Sequence, residues 1–274
     1  MLELNKIYCM DNVEGMKLLD DNCIDLVITS PPYADFRQYH SYSWDFDALA
    51  TILLQKLKPG GVVVWVVGDK TTRGSEECVP YKQVLRFKEL GYNIWDSMIF
   101  HRYIPYTALV RYNQDFEFMF VLSKGKVKTF NPLKIPKIYN TKPNQAKTKS
   151  LRQPDGRVTR LDEKGIKRVE ESCLRPTKTR GCIWHYDSGY MHTTEDKEAY
   201  EHPAMFPEQL VEDHLLSWSL PGDLIVDPFM GSGTVGKVSV LNNRNYIGFD
   251  VSQEYCDLAE RRIAKYKNQP KLEL

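Results

Sequence analysis

The stretch that decides the fold runs from Asp223 to Asp250 and reads DLIVDPFMGSGTVGKVSVLNNRNYIGFD. Its short apolar runs, LIV and YIGF, predict two buried strands, and Thr234–Leu241 between them predicts a helix. A glycine loop, Gly231-Ser232-Gly233, joins the first strand to the helix. This succession is typical of a parallel α/β sheet that binds its ligand at the carboxyl ends of the strands.

The same alternation of strand and helix extends outward from this stretch. Further strands are predicted at Leu4–Met10, Ile24–Thr29, Val62–Val67, Tyr92–Tyr103 and Phe116–Ser123, and further helices at Val13–Leu19, Asp45–Leu57, Tyr81–Leu90, Pro207–Ser219 and Ser252–Lys267. The alternation breaks down from Lys124 to about His202, where the chain is basic and dotted with prolines. We therefore predict one doubly wound α/β domain in two parts, 1–123 and 201–274, separated by an insertion at 124–200.

Composition limits the class of protein. The 274 residues are 42% hydrophobic, enough for one large core. No apolar run approaches the roughly 20 residues of a membrane helix, and the start MLELNKIYCM lacks the features of a secretory signal. The six cysteines are scattered without a CxxC pair, which favours a reduced, cytoplasmic protein.

The net charge of +1 hides an asymmetry along the chain. The segment Lys124–Arg180 holds 11 Lys and 6 Arg against 2 Asp and 3 Glu, an excess of +12 that leaves −11 for the rest. A concentration of this kind indicates contact with a polyanion. The alternative is a solvated basic loop.

The first motif with chemical meaning is Thr29-Ser30-Pro31-Pro32-Tyr33, at the end of the apolar run IDLVIT. The Ser30 hydroxyl and the Pro31 carbonyl can accept hydrogen bonds from an exocyclic amine, whose lone pair is otherwise delocalised into its ring. The prolines stiffen the turn, and Tyr33 offers a face on which a base can stack. The alternative is an ordinary Pro-Pro turn after a strand.

The second motif is Asp227-Pro228-Phe229-Met230-Gly231-Ser232-Gly233-Thr234, followed by Asp250 at the end of the next strand. Its glycines let the backbone approach a ligand, and a carboxylate at Asp250 suits ribose hydroxyls. Gly231, Gly233 and Gly236 also spell G-x-G-x-x-G, so a nicotinamide-dependent oxidoreductase is an alternative. That alternative leaves Ser30–Tyr33 unexplained, and a non-catalytic DNA-binding module explains neither motif.

Together the two motifs resemble those of the DNA amino-methyltransferases, which modify N4 of cytosine or N6 of adenine. TSPPY upstream and DPFMGSGT far downstream is the order of the permuted β class of that family. The resemblance covers residues 1–123 and 200–274. It implies a Rossmann-like fold, a seven-stranded mixed sheet with helices on both faces and an antiparallel last central strand, and S-adenosylmethionine as cofactor.

The resemblance also implies roles for individual residues. The catalytic set is Ser30, Pro31, Pro32 and Tyr33. Asp11 matches an acid near the cofactor's adenine, Asp250 matches the ribose-binding acid, and His202–Pro207 matches the wall of the methionine end. Arg111 and Asp115–Glu117 match, more loosely, residues near the target base. The implied cofactor-binding set is Asp11, Thr29, Phe206, Asp227, Phe229, Gly231, Ser232, Gly233, Thr234 and Asp250.

The insertion takes the place of the family's target-recognition region, so DNA is the expected partner. The target base is expected to flip out of the duplex and its amine to attack the methyl group directly. Ser30 favours cytosine N4 over adenine N6, because an aspartate or asparagine opens this motif in most adenine enzymes. A cognate restriction endonuclease and a homodimer are left open as partners. No metal is expected, since Cys173, Cys182, His185 and His192 fit no common zinc spacing.

Overall fold

The computed structural model describes residues 2–32, 44–103, 110–137, 150–153, 155–189, 191–205 and 207–267. The chain forms two compact units, of which the first joins Met1–Asn131 to Cys182–Leu274 and the second is Pro132–Gly181. The second unit falls within the sequence range predicted as an insertion. Over the described residues, no helix has the length and apolar character needed to cross a membrane.

One mixed sheet organises the first unit. Its described strands are β1 (Lys6–Cys9), β2 (Ile24–Thr29), β3 (Leu57–Val67), β4 (Asn93–Arg102), β5 (Phe116–Ser123), β6 (Ile183–Tyr186), β7 (Leu224–Asp227) and β8 (Asn245–Asp250). They lie in the order β1-β8-β7-β2-β3-β5-β4-β6. Only β5 in this sheet is antiparallel to its described neighbours, β3 and β4, and every other pair is parallel. The predicted mixed α/β sheet with one antiparallel strand is confirmed.

The predicted strand number of seven is wrong, because the described sheet has eight strands. The additional strand, β6, pairs in parallel with β4 at the sheet edge, and it falls in the stretch predicted as an insertion. It has only four residues, and its alternation buries Trp184 and Tyr186 while Ile183 and His185 stay exposed. A strand this short leaves a weak periodic signal.

The helices match the predicted positions closely, except for one that was not predicted. They are α1 (Asn12–Lys17), α2 (Phe46–Lys56), α3 (Val79–Glu89), α4 (Glu163–Leu174), α5 (Glu208–Trp218), α6 (Thr234–Leu241) and α7 (Gln253–Lys267). The unpredicted helix is α4, which belongs to the second unit. Side chains cap several amino termini, as in α1 and α2, where Asp11 accepts from the Glu14 N–H and Asp45 from the Ala48 N–H, each at 3.0 Å.

The core lies on the central strands, which the sequence marks by continuous apolar runs. Leu26, Val27 and Ile28 of β2 are fully buried, as expected for a parallel strand covered on both faces. The Trp65 ring of β3 packs edge-on against Phe87 of α3, with centroids 5.1 Å apart. Trp44 lies between this cluster and Phe229, 5.1 Å from the Phe229 ring, and so ties the loop after β7 to the core.

The second unit is small and basic. Two antiparallel pairs, Lys134–Pro136 with Thr177–Thr179 and Ser150–Arg152 with Val158–Arg160, accompany α4. The Asp162 side chain caps α4 at the Gly165 N–H, 2.8 Å away. No residue of α4 is buried. Eight Lys and six Arg against two Asp and three Glu give Pro132–Gly181 a net charge of +9.

Candidate functional site

A cavity of about 800 Å³ lies at the carboxyl ends of the parallel strands, and we call it the central cavity. Residues that end or directly follow five strands line it, namely Met10, Ser30, Gly68, Asp227 and Asp250. Open α/β sheets bind their ligands at this edge, and small-molecule sites have volumes of about 300–1,000 Å³. Sheet order therefore brings the two sequence motifs into one site.

The glycine loop between β7 and α6 forms one wall of the central cavity. Gly231 and Gly233 have φ angles of +49° and +80°, in the left-handed region that favours glycine. A Cβ on Gly231 would stand 2.9 Å from Nε2 of His202, which also lines the cavity. Backbone conformation and close approach both require glycine here, so the loop passes tightly along the cavity.

Asp227 joins the two motifs. Its Oδ1 accepts the Thr29 hydroxyl at 2.7 Å and the Phe229 N–H at 3.0 Å. Burial raises the pKa of this carboxyl to about 7, against the two hydrogen bonds that lower it. Asp227 thus fixes the start of the glycine loop to the end of β2, directly before Ser30.

Asp250 holds the other side of the glycine loop. Its Oδ2 accepts the Gly231 N–H and its Oδ1 the Ser252 N–H, both at 2.9 Å. Burial raises the pKa of this carboxyl. Each carboxylate oxygen has a further lone pair beyond these backbone contacts, so Asp250 can accept hydroxyl donors from a ligand in the cavity.

The first motif reaches the same cavity. Ser30, Pro31 and Pro32 line it, as do Phe229, Ser232 and Thr234 of the second motif. Tyr33 and Phe206 lie outside the described residues. Described residues of both motifs, at the ends of β2 and β7, therefore line one cavity.

Three residues of the implied cofactor set are not part of the described cavity lining. The Asp11 side chain caps α1, and its neighbours Met10 and Asn12 line the cavity instead. Thr29 is fully buried against Asp227. A Cβ on Gly233 would lie 2.7 Å from the Ala259 Cβ, so this glycine permits the close packing of α6 and α7.

Several cavity residues belong to neither sequence motif. Gly68 and Asp69 follow β3 as Ser30 follows β2, so their place after a predicted parallel strand is the sequence signal for them. The Asp69 carboxylate accepts the N–H groups of Cys78 at 3.1 Å and Val79 at 3.0 Å, where α3 begins.

Three further lining residues, Asn12, Thr193 and Tyr200, belong to no motif, and only the folded chain brings them to the cavity.

A further part of the lining comes from the antiparallel end of the sheet. Phe100 and Arg102 of β4 and Phe116 and Glu117 of β5 contribute, and the Arg102 Nη1 lies 3.2 Å from the Glu117 Oε1. Two members of the loosely matched target-base stretch thus line the cavity. Arg111 instead donates to the Thr71 hydroxyl at 3.0 Å and the Gly74 carbonyl at 2.9 Å.

The histidines and cysteines assemble no metal centre in the described ranges, where no group of three or more His, Cys, Asp or Glu side chains could hold an ion. The six cysteines are free thiols. His101 and His185 face each other from β4 and β6, with their Nδ1 atoms 2.9 Å apart.

Comparison with known proteins identifies relatives of the whole chain. The DNA methylase family N6_N4_Mtase matches residues 24–261. The orphan methyltransferase M.BamHII of Bacillus amyloliquefaciens is 46% identical over 90% of this chain and 91% of its own length. The type II methyltransferase M.BglII of Bacillus subtilis is 27% identical over 93% of this chain and 68% of its own.

Solved structures share the fold. A putative DNA modification methylase from Thermus thermophilus, complexed with S-adenosyl-L-methionine, aligns with a TM-score of 0.62 at 21% identity, covering 98% of this chain and 96% of that one. The cytosine-N4-specific PvuII DNA methyltransferase aligns with a TM-score of 0.65 at 18% identity, covering 96% and 90% of the two chains.

Proposed function

Because the chain belongs to the N6_N4_Mtase family of DNA methylases, we propose that it transfers a methyl group from S-adenosylmethionine to N4 of cytosine in DNA. One observation carries the proposal. Ser30 and Pro31, the acceptors for an exocyclic amine, line the same cavity as the glycine loop and Asp250. Neither an oxidoreductase nor a non-catalytic DNA-binding module requires amine acceptors and a glycine loop in the same cavity.

The central cavity fits the cofactor chemically. Asn12 is buried in its wall with an Oδ1 that has no hydrogen-bond partner among the described residues, an acceptor suited to the amino group of adenine. Asp250 supplies a carboxylate for ribose hydroxyls. Met10 and Phe229 add apolar surface, and an aromatic face tolerates a sulfonium charge. Asn12 thus takes the adenine-end role implied for its neighbour Asp11.

When bound, S-adenosylmethionine would supply an electrophilic methyl group on a sulfonium sulfur, which would leave as a neutral thioether when the methyl carbon–sulfur bond breaks. The chain positions the target base and provides hydrogen-bond acceptors for its amine. The Ser30 hydroxyl and the Pro31 carbonyl accept the N–H groups of the flipped base's amine. This draws the nitrogen toward a tetrahedral shape and frees its lone pair for in-line attack. A serine hydroxyl is too weak a base to keep the proton, which leaves to water.

The choice of cytosine N4 rests on Ser30, since a serine opens this motif mainly in cytosine enzymes. Adenine N6 is the alternative, because its amine also lies beside a ring nitrogen and the same acceptors can serve it. The 46% identical relative is named an orphan methyltransferase, which favours action without a restriction endonuclease.

Nucleoside mass spectrometry tests the proposal. DNA incubated with the protein and S-adenosylmethionine is hydrolysed, and its methylated nucleosides are quantified against DNA incubated without cofactor. We expect N4-methylcytosine. Detection of N6-methyladenine alone would show that adenine is the acceptor base, with the same mechanism. The absence of any methylated nucleoside from DNA of varied sequence would refute the proposed function.

A further inference from the structure

Arg262 of α7 is fully buried, which is costly for a guanidinium unless its donors are satisfied. Its Nε donates to the Asp196 carboxylate at 2.7 Å. Its Nη1 donates to the Ser232 carbonyl at 3.0 Å and the Thr234 hydroxyl at 3.1 Å. Its Nη2 donates to the Thr194 hydroxyl at 3.2 Å and also contacts Glu208. The guanidinium thus holds three separate stretches of chain.

Arg262 belongs to a buried cluster whose formal charges cancel. Lys237 of α6 donates to Asp196 and to Glu208, each at 2.8 Å, and so balances the second carboxylate. The Tyr266 hydroxyl donates to Asp196 at 2.5 Å. Burial raises the pKa of Asp196, but hydrogen bonds from Arg262, Lys237 and Tyr266 outweigh it and lower the pKa to about 2. Asp196 is therefore ionised throughout the neutral range.

The cluster lies directly behind the central cavity. Ser232 and Thr234, which Arg262 holds, line the cavity at the glycine loop. On the other side of Arg262, Thr194 and Asp196 belong to the segment 191–205, which also supplies Thr193, Tyr200 and His202 to the lining. The Tyr200 hydroxyl anchors this segment by donating to the Thr194 carbonyl at 3.0 Å. Two walls of the cavity thus share one guanidinium.

We propose that Arg262 is a positioning residue for S-adenosylmethionine, which sets the glycine loop and the segment 191–205 at the separation the cofactor requires. The inference rests on the proposed function and assigns a role to a residue outside both sequence motifs. Only an arginine can do this, because its planar fork donates in three directions at once. Lys237, a single ammonium group, reaches the two carboxylates but donates to neither Ser232 nor Thr234 in the described contacts.

A matched pair of adjacent arginines tests the proposal. Arg262→Met keeps an unbranched apolar stem but loses every hydrogen bond to the loop, whereas Arg261→Met removes one exposed ion pair to Glu201 at 3.5 Å. Calorimetry with S-adenosylmethionine should give about 10- to 100-fold weaker binding for Arg262→Met, the worth of the lost charge-assisted hydrogen bonds. Arg261→Met should bind as the wild type does.

Kinetics separate positioning from catalysis. Arg262 touches neither the target base nor the Ser30 turn in the described contacts, so KM for S-adenosylmethionine should rise while kcat at saturating cofactor stays within about twofold. Arg262→Lys, which retains the charge but not the fork, should fall between the wild type and Arg262→Met. Equal cofactor affinity in the wild type and a folded Arg262→Met would overturn the proposal.

A second variant distinguishes weak cofactor binding caused by lost positioning from weak binding caused by an unstable fold. Arg262→Met leaves the cluster with one excess negative charge, and Arg262→Met with Asp196→Asn restores neutrality. The double variant should recover much of the thermal stability and still bind the cofactor weakly. Recovery of thermal stability and of cofactor affinity together would mean that Arg262 only balances charge. If the wild type itself binds no S-adenosylmethionine, the proposed function fails rather than the role of Arg262.

Discussion

Ser30 is the residue on which the proposed chemistry depends most directly. Ser30→Ala removes one acceptor for the amine, and that acceptor matters mainly as the nitrogen rehybridises in the transition state. We expect turnover to fall about 10-fold, the worth of one hydrogen bond, with S-adenosylmethionine affinity unchanged. Single-turnover methylation and calorimetry on the same preparation measure the two quantities. Wild-type turnover would reduce Ser30 to a turn residue.

Asp250 is expected to act on the cofactor and not on the base. Asp250→Ala removes a partly buried carboxylate, and the loss of a charge-assisted hydrogen bond should weaken S-adenosylmethionine binding by about 1.5–3 kcal/mol. It also releases the Gly231 N–H, which loosens the glycine loop. Calorimetry measures the effect, with Asp257→Ala on the exposed face of α7 as control. Unchanged affinity in a folded Asp250→Ala would exclude this residue from the site.

Asp227 predicts a pH dependence of stability. Its pKa of about 7 in the folded chain exceeds the ordinary value of 3.8, so its proton stabilises the fold at low pH. That contribution is lost as the pH rises from about 4 to about 7. Asn can accept the same two hydrogen bonds without titrating. The unfolding free energy of Asp227→Asn relative to the wild type should therefore rise by about 1–4 kcal/mol over this range. Urea denaturation at pH 5 and pH 8 checks it, and a difference that stays constant would contradict the burial argument.

At the scale of elements, the packing of α6 on α7 depends on Gly233. Gly233→Ala meets the Ala259 Cβ at 2.7 Å in addition to a strained φ of +80°, whereas Gly222→Ala has a φ of +89° and no neighbour within 4 Å. Backbone strain alone should cost Gly222→Ala about 1 kcal/mol. The added clash should raise the cost for Gly233→Ala to about 2–4 kcal/mol. Chemical denaturation compares them, and equal losses would mean that the helices shift without penalty.

Elements with a strong local pattern were predictable from the sequence, and those fixed by long-range pairing were not. β2 and α6 have the predicted bounds, since a buried apolar run and a glycine loop mark them. β3 begins five residues before its predicted start and includes Pro59, Gly60 and Gly61. Leu57 pairs with Ile24 of β2, and backbone hydrogen bonds join Gly60 and Gly61 to Lys124, just past the end of β5. These long-range contacts extend the strand past residues that usually end one.

The residues of the candidate site also fall into two groups, those that a local sequence pattern predicts and those that only long-range packing brings to the site. The positions of Ser30 and Asp250 at the cavity were predictable, because Ser30 follows a recognisable strand and Asp250 ends one. The positions of Asn12, Arg102 and Arg262 at the site were not predictable, because they depend on which strands are neighbours and which helices meet. Arg262 reads in the sequence as one more cation of an amphipathic helix, and only its burial against the glycine loop distinguishes it from Arg261.

At the scale of the whole molecule, the central cavity and the excess basic charge belong to different units of the chain. The central cavity is lined by residues of the first unit, and the second unit carries a net charge of +9. Phosphate contacts made by Lys and Arg weaken steeply with salt, because binding releases condensed counterions. The second unit is therefore our candidate for target recognition and for much of the affinity for DNA.

Deleting the second unit tests whether it recognises DNA. Leu133 and Arg180 are joined by a backbone hydrogen bond of 2.9 Å, so residues 134–179 can be replaced by a short Gly-Ser linker between positions already adjacent. The shortened chain should bind S-adenosylmethionine with wild-type affinity, because the cavity residues remain, and should lose specific DNA binding. Calorimetry and DNA titration at two salt concentrations measure both properties, with the wild type showing the steep salt dependence. A shortened chain that still methylates the wild-type sequence would place target recognition in the first unit instead.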